Sequence, residues 1–209
     1  MSPSPDDASP DPRWEKDSPA GQSTLARAFP SALRSEALAA LEVVPFGEWR
    51  LTESFILWSQ GERLEIPARI YAPEPDEAAE NALAEDQRTI LHCLYSRHHD
   101  GHVRQRRIEQ VIRSSHPWVV PFVVGLAGDY VVEIQVAILK GLADLPRGGS
   151  PQRRLYGDFV RENPAFLDLT SRRVTSYWDC YHRWRYPKQE DFPGSVLVAG
   201  LLAAGLDPA

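Results

Sequence analysis

Cysteine is scarce in this 209-residue chain. Its two cysteines, Cys93 and Cys180, lie far apart and neither belongs to a Cys-x-x-Cys pair, so no disulfide framework and no four-ligand zinc pattern can be read from it. A glycine-rich phosphate loop and a nucleophile elbow are missing too, which removes the usual signatures of nucleotide binding and serine hydrolysis. The first residues, MSPSPDDASPDPR, lack the basic start and apolar run of a secretory signal. The longest late apolar stretch, 196–202, falls far short of the ~20 residues that span a bilayer. These absences lead to the expectation of a cytoplasmic protein in a reducing compartment, with no membrane partner and no implied cofactor.

What is present is ordinary globular composition, 43% hydrophobic and 25% charged, in a chain long enough for one good core or a core plus a small subdomain. The formal charge of −6 conceals an asymmetry. Residues 1–90 carry 8 Lys+Arg against 17 Asp+Glu, and residues 91–209 carry 15 against 12. Such a split lets the two halves attract one another or presents a basic face to an anionic partner.

Residues 1–22 are rich in Pro, Ser and Asp and have almost nothing apolar to bury, which predicts a disordered acidic tail. The spacing of Leu25, Phe29, Leu33, Leu38 and Leu41 predicts a helix over about 23–41, kinked or divided at Pro30. Between 48 and 71 the periodicity changes. Trp49, Leu51, Phe55, Leu57, Leu64, Ile66 and Ile70 fall largely on alternate positions around Ser59-Gln60-Gly61-Glu62, which predicts a β-hairpin that needs helices to lie against. Residues 23–75 therefore read as an N-terminal helix plus hairpin, and 76–209 as a helical domain reached through the acidic, proline-bearing stretch 73–80.

Within that domain the patterns predict helices over about 83–96, 102–113, 118–126, 130–142, 155–161, 165–185 and 195–204. Asp100-Gly101 and Gly128-Asp129 serve as stop-start turns, with aspartate as a capping oxygen. The stretch 90–142 resembles two HEAT-type helical hairpins, on the strength of Asp100-Gly-His-Val103-Arg104, Asp129-Tyr-Val131-Val132-Glu133 and Pro121. The resemblance implies stacked antiparallel helices with a concave binding face, and no particular chemistry. The expected fold is mainly α: a HEAT-like stack with a small N-terminal β-hairpin subdomain.

The densest polar feature is RHHDGHVRQRR, residues 97–107. One reading makes His98, His99, Asp100 and His102 a metal set, drawing on His92, Cys180 or His182. His99-Asp100 also resembles the His-Asp centre of HD-type metal phosphohydrolases, which implies a further upstream histidine and a downstream aspartate. A second reading uses Arg97, Arg104, Arg106, Arg107 and Arg113 as forks for phosphate or carboxylate. HEAT-like DNA glycosylases carry a comparable basic concave surface, but need a catalytic carboxylate that cannot be placed here. Cys180 and His182 point apart on a helix, which argues against an activated pair within the segment, and Cys180 is expected to be buried as a small apolar residue. If Glu133 lies inside its apolar helix, it needs an arginine from the 97–107 turn.

The favoured expectation is a non-catalytic interaction or adaptor module whose partner is an acidic protein segment. Arg97, His99, His102, Arg104 and Arg106 would supply the ion pairs, and Tyr177, Tyr181 and Arg183 the facing wall. The alternative is a metal-dependent phosphohydrolase or a nucleic-acid-binding or modifying protein centred on 98–102; nucleic acid is possible but not favoured, since the chain is acidic overall.

Overall fold

The computed structural model describes residues 19–45 and 50–207. Most of the predicted acidic tail, and Trp49 of the predicted hairpin, lie outside the described residues. The chain is mainly helical, with a small antiparallel β element.

Pro30 divides the first predicted helix. Helix α1 (Pro19–Ala26) ends before it, a short 3-10 turn follows, and α2 runs Arg34–Glu42. The predicted hairpin is β2 (Ser54–Ser59) paired with β3 (Glu62–Pro67), following a short β1 (Arg50–Leu51) and followed by β4 (Ile70–Tyr71), which pair with each other. Gln60 and Gly61 both take positive φ (53° and 77°), the two-residue turn whose twist matches the flanking strands.

A two-stranded ribbon is marginal alone, and here its backbone is tied on both sides. On one side Glu65 donates its N–H to the Arg27 carbonyl. On the other, the Asn163 amide imitates a neighbouring strand: its Oδ1 accepts from Trp58 N and its Nδ2 donates to Trp58 O, each at 2.8 Å. Glu162 caps the turn by accepting from Gln60 and Gly61 N–H.

The helical part comprises α3 (Glu77–Asn81), α4 (Glu85–Tyr95), α5 (Gly101–Val111), α6 (Val120–Ala127), α7 (Val132–Gly141), α8 (Pro151–Glu162), α9 (Pro164–Tyr177) and α10 (Pro193–Gly205). Aspartate and serine caps start several of them: Asp76 on α3, Asp100 on α5 and Ser150 on α8. Helix α4 packs on α2 and α5, α5 on α7, and α10 on α7, α8 and α9. One contiguous set of buried apolar side chains runs from Leu25 and Phe29 through Leu64, Ile90, Phe122 and Ile138 to Leu201, and so joins the ribbon to the helices. Phe29 stacks on Phe122 at 5.4 Å.

One backbone contact positions the site. The α4–α5 turn adds to β4 as a short parallel strand, with Ile70 N donating to Arg97 O (2.8 Å) and His99 N to Ile70 O (3.0 Å).

Candidate anion-binding site

Four segments meet beside that parallel contact: the β3–β4 connection with Arg69, the α4–α5 turn with Arg97 and the start of α5 with Arg104, the α6–α7 turn with Asp129 and Tyr130, and the C-terminal half of α9 with Arg173 and Tyr177. The 97–107 arginines do not form one exposed face. Arg97 is 2% exposed and Arg104 fully buried, a correction to their expected place on the surface. Neither can touch a partner directly.

The reason is local geometry. Arg97 turns inward beneath the β3–β4 connection, donating from Nε to Pro67 O (3.1 Å) and from Nη2 to Ala68 O (2.8 Å). Arg104 lies on the buried side of α5 and reaches back across its own cap, donating from Nη1 to the carbonyls of His98 and His99. Its Nη2 donates to Asp129 Oδ1 at 2.9 Å, while its Nε is buried without an acceptor.

Asp129 is the one carboxylate among these groups. Its Oδ1 also accepts from Val131 N (3.1 Å), and its Oδ2 accepts from Arg69 Nη2 (2.9 Å). Arg69 extends the chain of guanidiniums, because its Nη1 shares the Ala68 carbonyl with Arg97, each donor 2.8 Å away. Arg97 and Arg173 in turn both lie over the Phe55 ring, 5.9 and 5.0 Å from its centre. The Arg173 side chain has no hydrogen bond or ion pair among the described residues. Four arginines are thus strung together around one acid.

Electrostatics follow from that imbalance. Burial, reinforced by the neighbouring Arg69, Arg104 and Arg173, pulls the Arg97 guanidinium down to about 9, with Asp129 opposing. Burial lowers Arg69 as well, against the attraction of Asp129. For Arg104, burial works downward but the Asp129 hydrogen bond and charge outweigh it, so the group is held above its ordinary value.

The rim is aromatic. Tyr71 stacks on His99 at 4.9 Å, Tyr130 meets Tyr177 edge-on at 6.1 Å, and Tyr177 lies 6.2 Å from Tyr181. Tyr130 also accepts the Arg104 guanidinium over its ring at 5.4 Å. Tyr177 lies near Arg69, and Tyr181 reaches the site only through Tyr177, whereas Arg183 is paired with Asp179 at 2.9 Å.

The other predicted residues take separate roles. His98 is buried with both ring nitrogens engaged: Nε2 lies 2.9 Å from Ala72 O, and Nδ1 accepts from Asp100 N (3.1 Å), which makes Nε2 the protonated one. Asp100 accepts from His102 N as the α5 cap, and the His102 side chain is exposed. Arg106 and Arg107 bind Glu74, and Arg107 also binds Glu80 beside His92. Among the described residues no three His, Cys, Asp or Glu side chains are grouped to hold a metal, so His98, His99, Asp100 and His102 do not assemble as a ligand set.

One further expectation is corrected, and a conditional one does not arise. Cys180 is exposed, because α9 widens into a π-helical turn over Trp178–His182; Trp178 packs inward, with its Nε1 donating to Tyr186 O, and Cys180 points out. Glu133 is exposed too, its nearest cation being Arg185 at 3.9 Å. The acid that meets the buried arginine is Asp129, four residues earlier.

Sequence reasoning missed Arg69, Asp129 and Arg173 as site residues. Asp129 had a signal: it is the only acid between Arg113 and Glu133, in an otherwise apolar stretch facing an arginine-rich turn. Arg69 and Arg173 had none. Compared with family models, curated proteins and solved structures, the chain matches none.

Proposed function

We propose that the chain is a non-catalytic recognition module that holds an anionic segment of a partner protein against the Arg69–Arg173 face and its tyrosine rim. The observation that carries this reading is the excess of guanidinium over carboxylate. Buried charges are ordinarily paired, and Asp129 has both oxygens occupied by Arg69, Arg104 and an N–H. Arg69 keeps about a quarter of its side chain exposed, and Arg173 is partly exposed, so positive charge reaches solvent at both. Tyrosines beside arginines suit protein recognition, giving rigid contact area next to a fork for acids. In the same reading the helical pairs α4–α5 and α6–α7 are HEAT-like hairpins, linked turn to turn by the Arg104–Asp129 bond.

The test is binding of a fluorescent Glu-rich peptide at low salt. Arg173→Ala combined with Tyr181→Ala should weaken it by at least about tenfold with folding unchanged by circular dichroism. Equal affinity in the double variant, or no binding by the native chain, sinks the reading.

One observation favours nucleic acid as a second reading. Trp184 is 81% exposed among Arg183, Arg185 and Lys188, a stacking side chain beside cations. Each of those cations has an acid partner, respectively Asp179, Glu133 and Glu190, which offsets the charge. A single-stranded oligonucleotide in the same assay decides between the two.

A further inference from the structure

We propose that Arg69 and Arg173, backed by buried Arg97, form a receptor for a phosphate monoester, so that the partner segment is a phosphorylated one. The inference rests on the reading of this face as anion-receiving and names the anion.

The argument is geometric. Arg97 and Arg69 point donors at one oxygen, the Ala68 carbonyl, which places two like charges side by side with no carboxylate between them. Arg97 spends Nε and Nη2 on carbonyls, and its Nη1 has no acceptor among the described residues. That nitrogen rests against α6 at Gly125, where an added Cβ would come within 3.3 Å of it, so the small residue leaves the guanidinium its place. Arg173 completes the row across Phe55 and is likewise without an acid. With both Asp129 oxygens already bonded to other groups, these four arginines against one carboxylate leave a formal excess of three positive charges.

A glutamate or aspartate side chain brings one negative charge and two oxygens. A phosphate monoester brings nearly two charges and three oxygens, and arginine forks bond such oxygens in pairs. Arg69 and Arg173, which reach solvent, make the direct bonds; Arg97 contributes its charge from beneath. Tyr130 and Tyr177 border Arg69 and provide the contact surface for residues flanking the phosphate.

The experiment compares a short phosphoserine peptide with the same peptide carrying glutamate, and adds inorganic phosphate against chloride at matched ionic strength. The native chain should prefer the phosphopeptide by at least about tenfold, and about 10 mM phosphate should raise its melting temperature where chloride does not. Arg173→Ala, which removes no side-chain hydrogen bond or ion pair and only the contact with Phe55, should lose both effects, and Arg173→Lys should keep part of the binding but not the preference. Equal affinity for the two peptides without a phosphate-specific thermal shift overturns the proposal while leaving the anion-receiving face intact. A preference that survives Arg173→Ala also overturns it. A phosphate shift through Arg173 with no binding of either peptide supports the phosphoryl receptor, assigns it to a free small ester, and removes the partner-protein reading.

Discussion

Asp129 carries more of this molecule than its size suggests. Its two oxygens hold Arg69 and Arg104 and start α7, and the buried Gln135 donates to its backbone carbonyl at 2.8 Å. Removing one partner of a buried charge network leaves the others uncompensated, which costs about 3–5 kcal/mol. Asp129→Ala should therefore lower the unfolding free energy by that amount in a urea titration. A loss below about 1 kcal/mol would mean that water already screens the arginines. The residue scale also explains why the 97–107 run misleads as a surface. A run of arginines reads as solvated, yet Arg97 and Arg104 are among the largest fully buried side chains, since carbonyls at Pro67, Ala68, His98 and His99 accept their hydrogen bonds.

At the scale of elements, most helices were legible because their punctuation was local. Pro30, Asp100-Gly101 and Gly128-Asp129 each stop or start a helix through φ restriction or capping, and the helices break at all of them. Helix α8 is longer than its apolar periodicity predicts, because Ser150 caps it and Pro151 occupies its first position. The π turn after α9 was not legible; its wide turn depends on Trp178 finding the pocket of Val132, Val174 and Phe192. The α8–α10 contact was not legible either. Gly157 lets the two helices approach so closely that a Cβ would lie 2.4 Å from the Ala204 carbonyl oxygen. Gly157→Ala should force the pair apart and cost about 1–3 kcal/mol, read as a fall in melting temperature. An unchanged melting point would show that α10 shifts freely on its neighbours.

At the scale of the whole molecule, part of the charge split is met by pairs between the two halves. Glu74 and Glu80 of the acidic half bind Arg106 and Arg107 of the basic half, and Arg69 of the first half binds Asp129 of the second. The Glu74 and Glu80 pairs pin the stretch between β4 and α4 to α5, and His92 sits beside Glu80. Burial, with Arg107 and Arg88 adding and Glu80 opposing, pushes the His92 imidazole down to about 4. The unfolded chain thus takes up a proton near the ordinary value of 6.5 that the folded chain refuses until about 4, so stability falls as pH drops through that window. Arg106 and Arg107 hold the Glu74 carboxyl below its usual range against the opposing effect of burial, which adds loss of the same sign at lower pH. Melting temperatures across the window should fall for the native chain and fall less steeply for His92→Gln; parallel slopes would contradict the assignment.

The sequence by itself determined the mainly helical class, the hairpin at Gln60-Gly61, the helix breaks and the Asp100 cap, since each depends on residues within a turn or two of one another. It also marked the 97–107 run as the place to look. Only the tertiary structure decided which of those arginines are buried, that Asp129 rather than Glu133 answers them, and that Arg69 and Arg173 join them. Those facts depend on bringing β4, the α4–α5 turn, the α6–α7 turn and α9 together, and a buried guanidinium goes wherever the fold supplies carbonyl oxygens and a carboxylate.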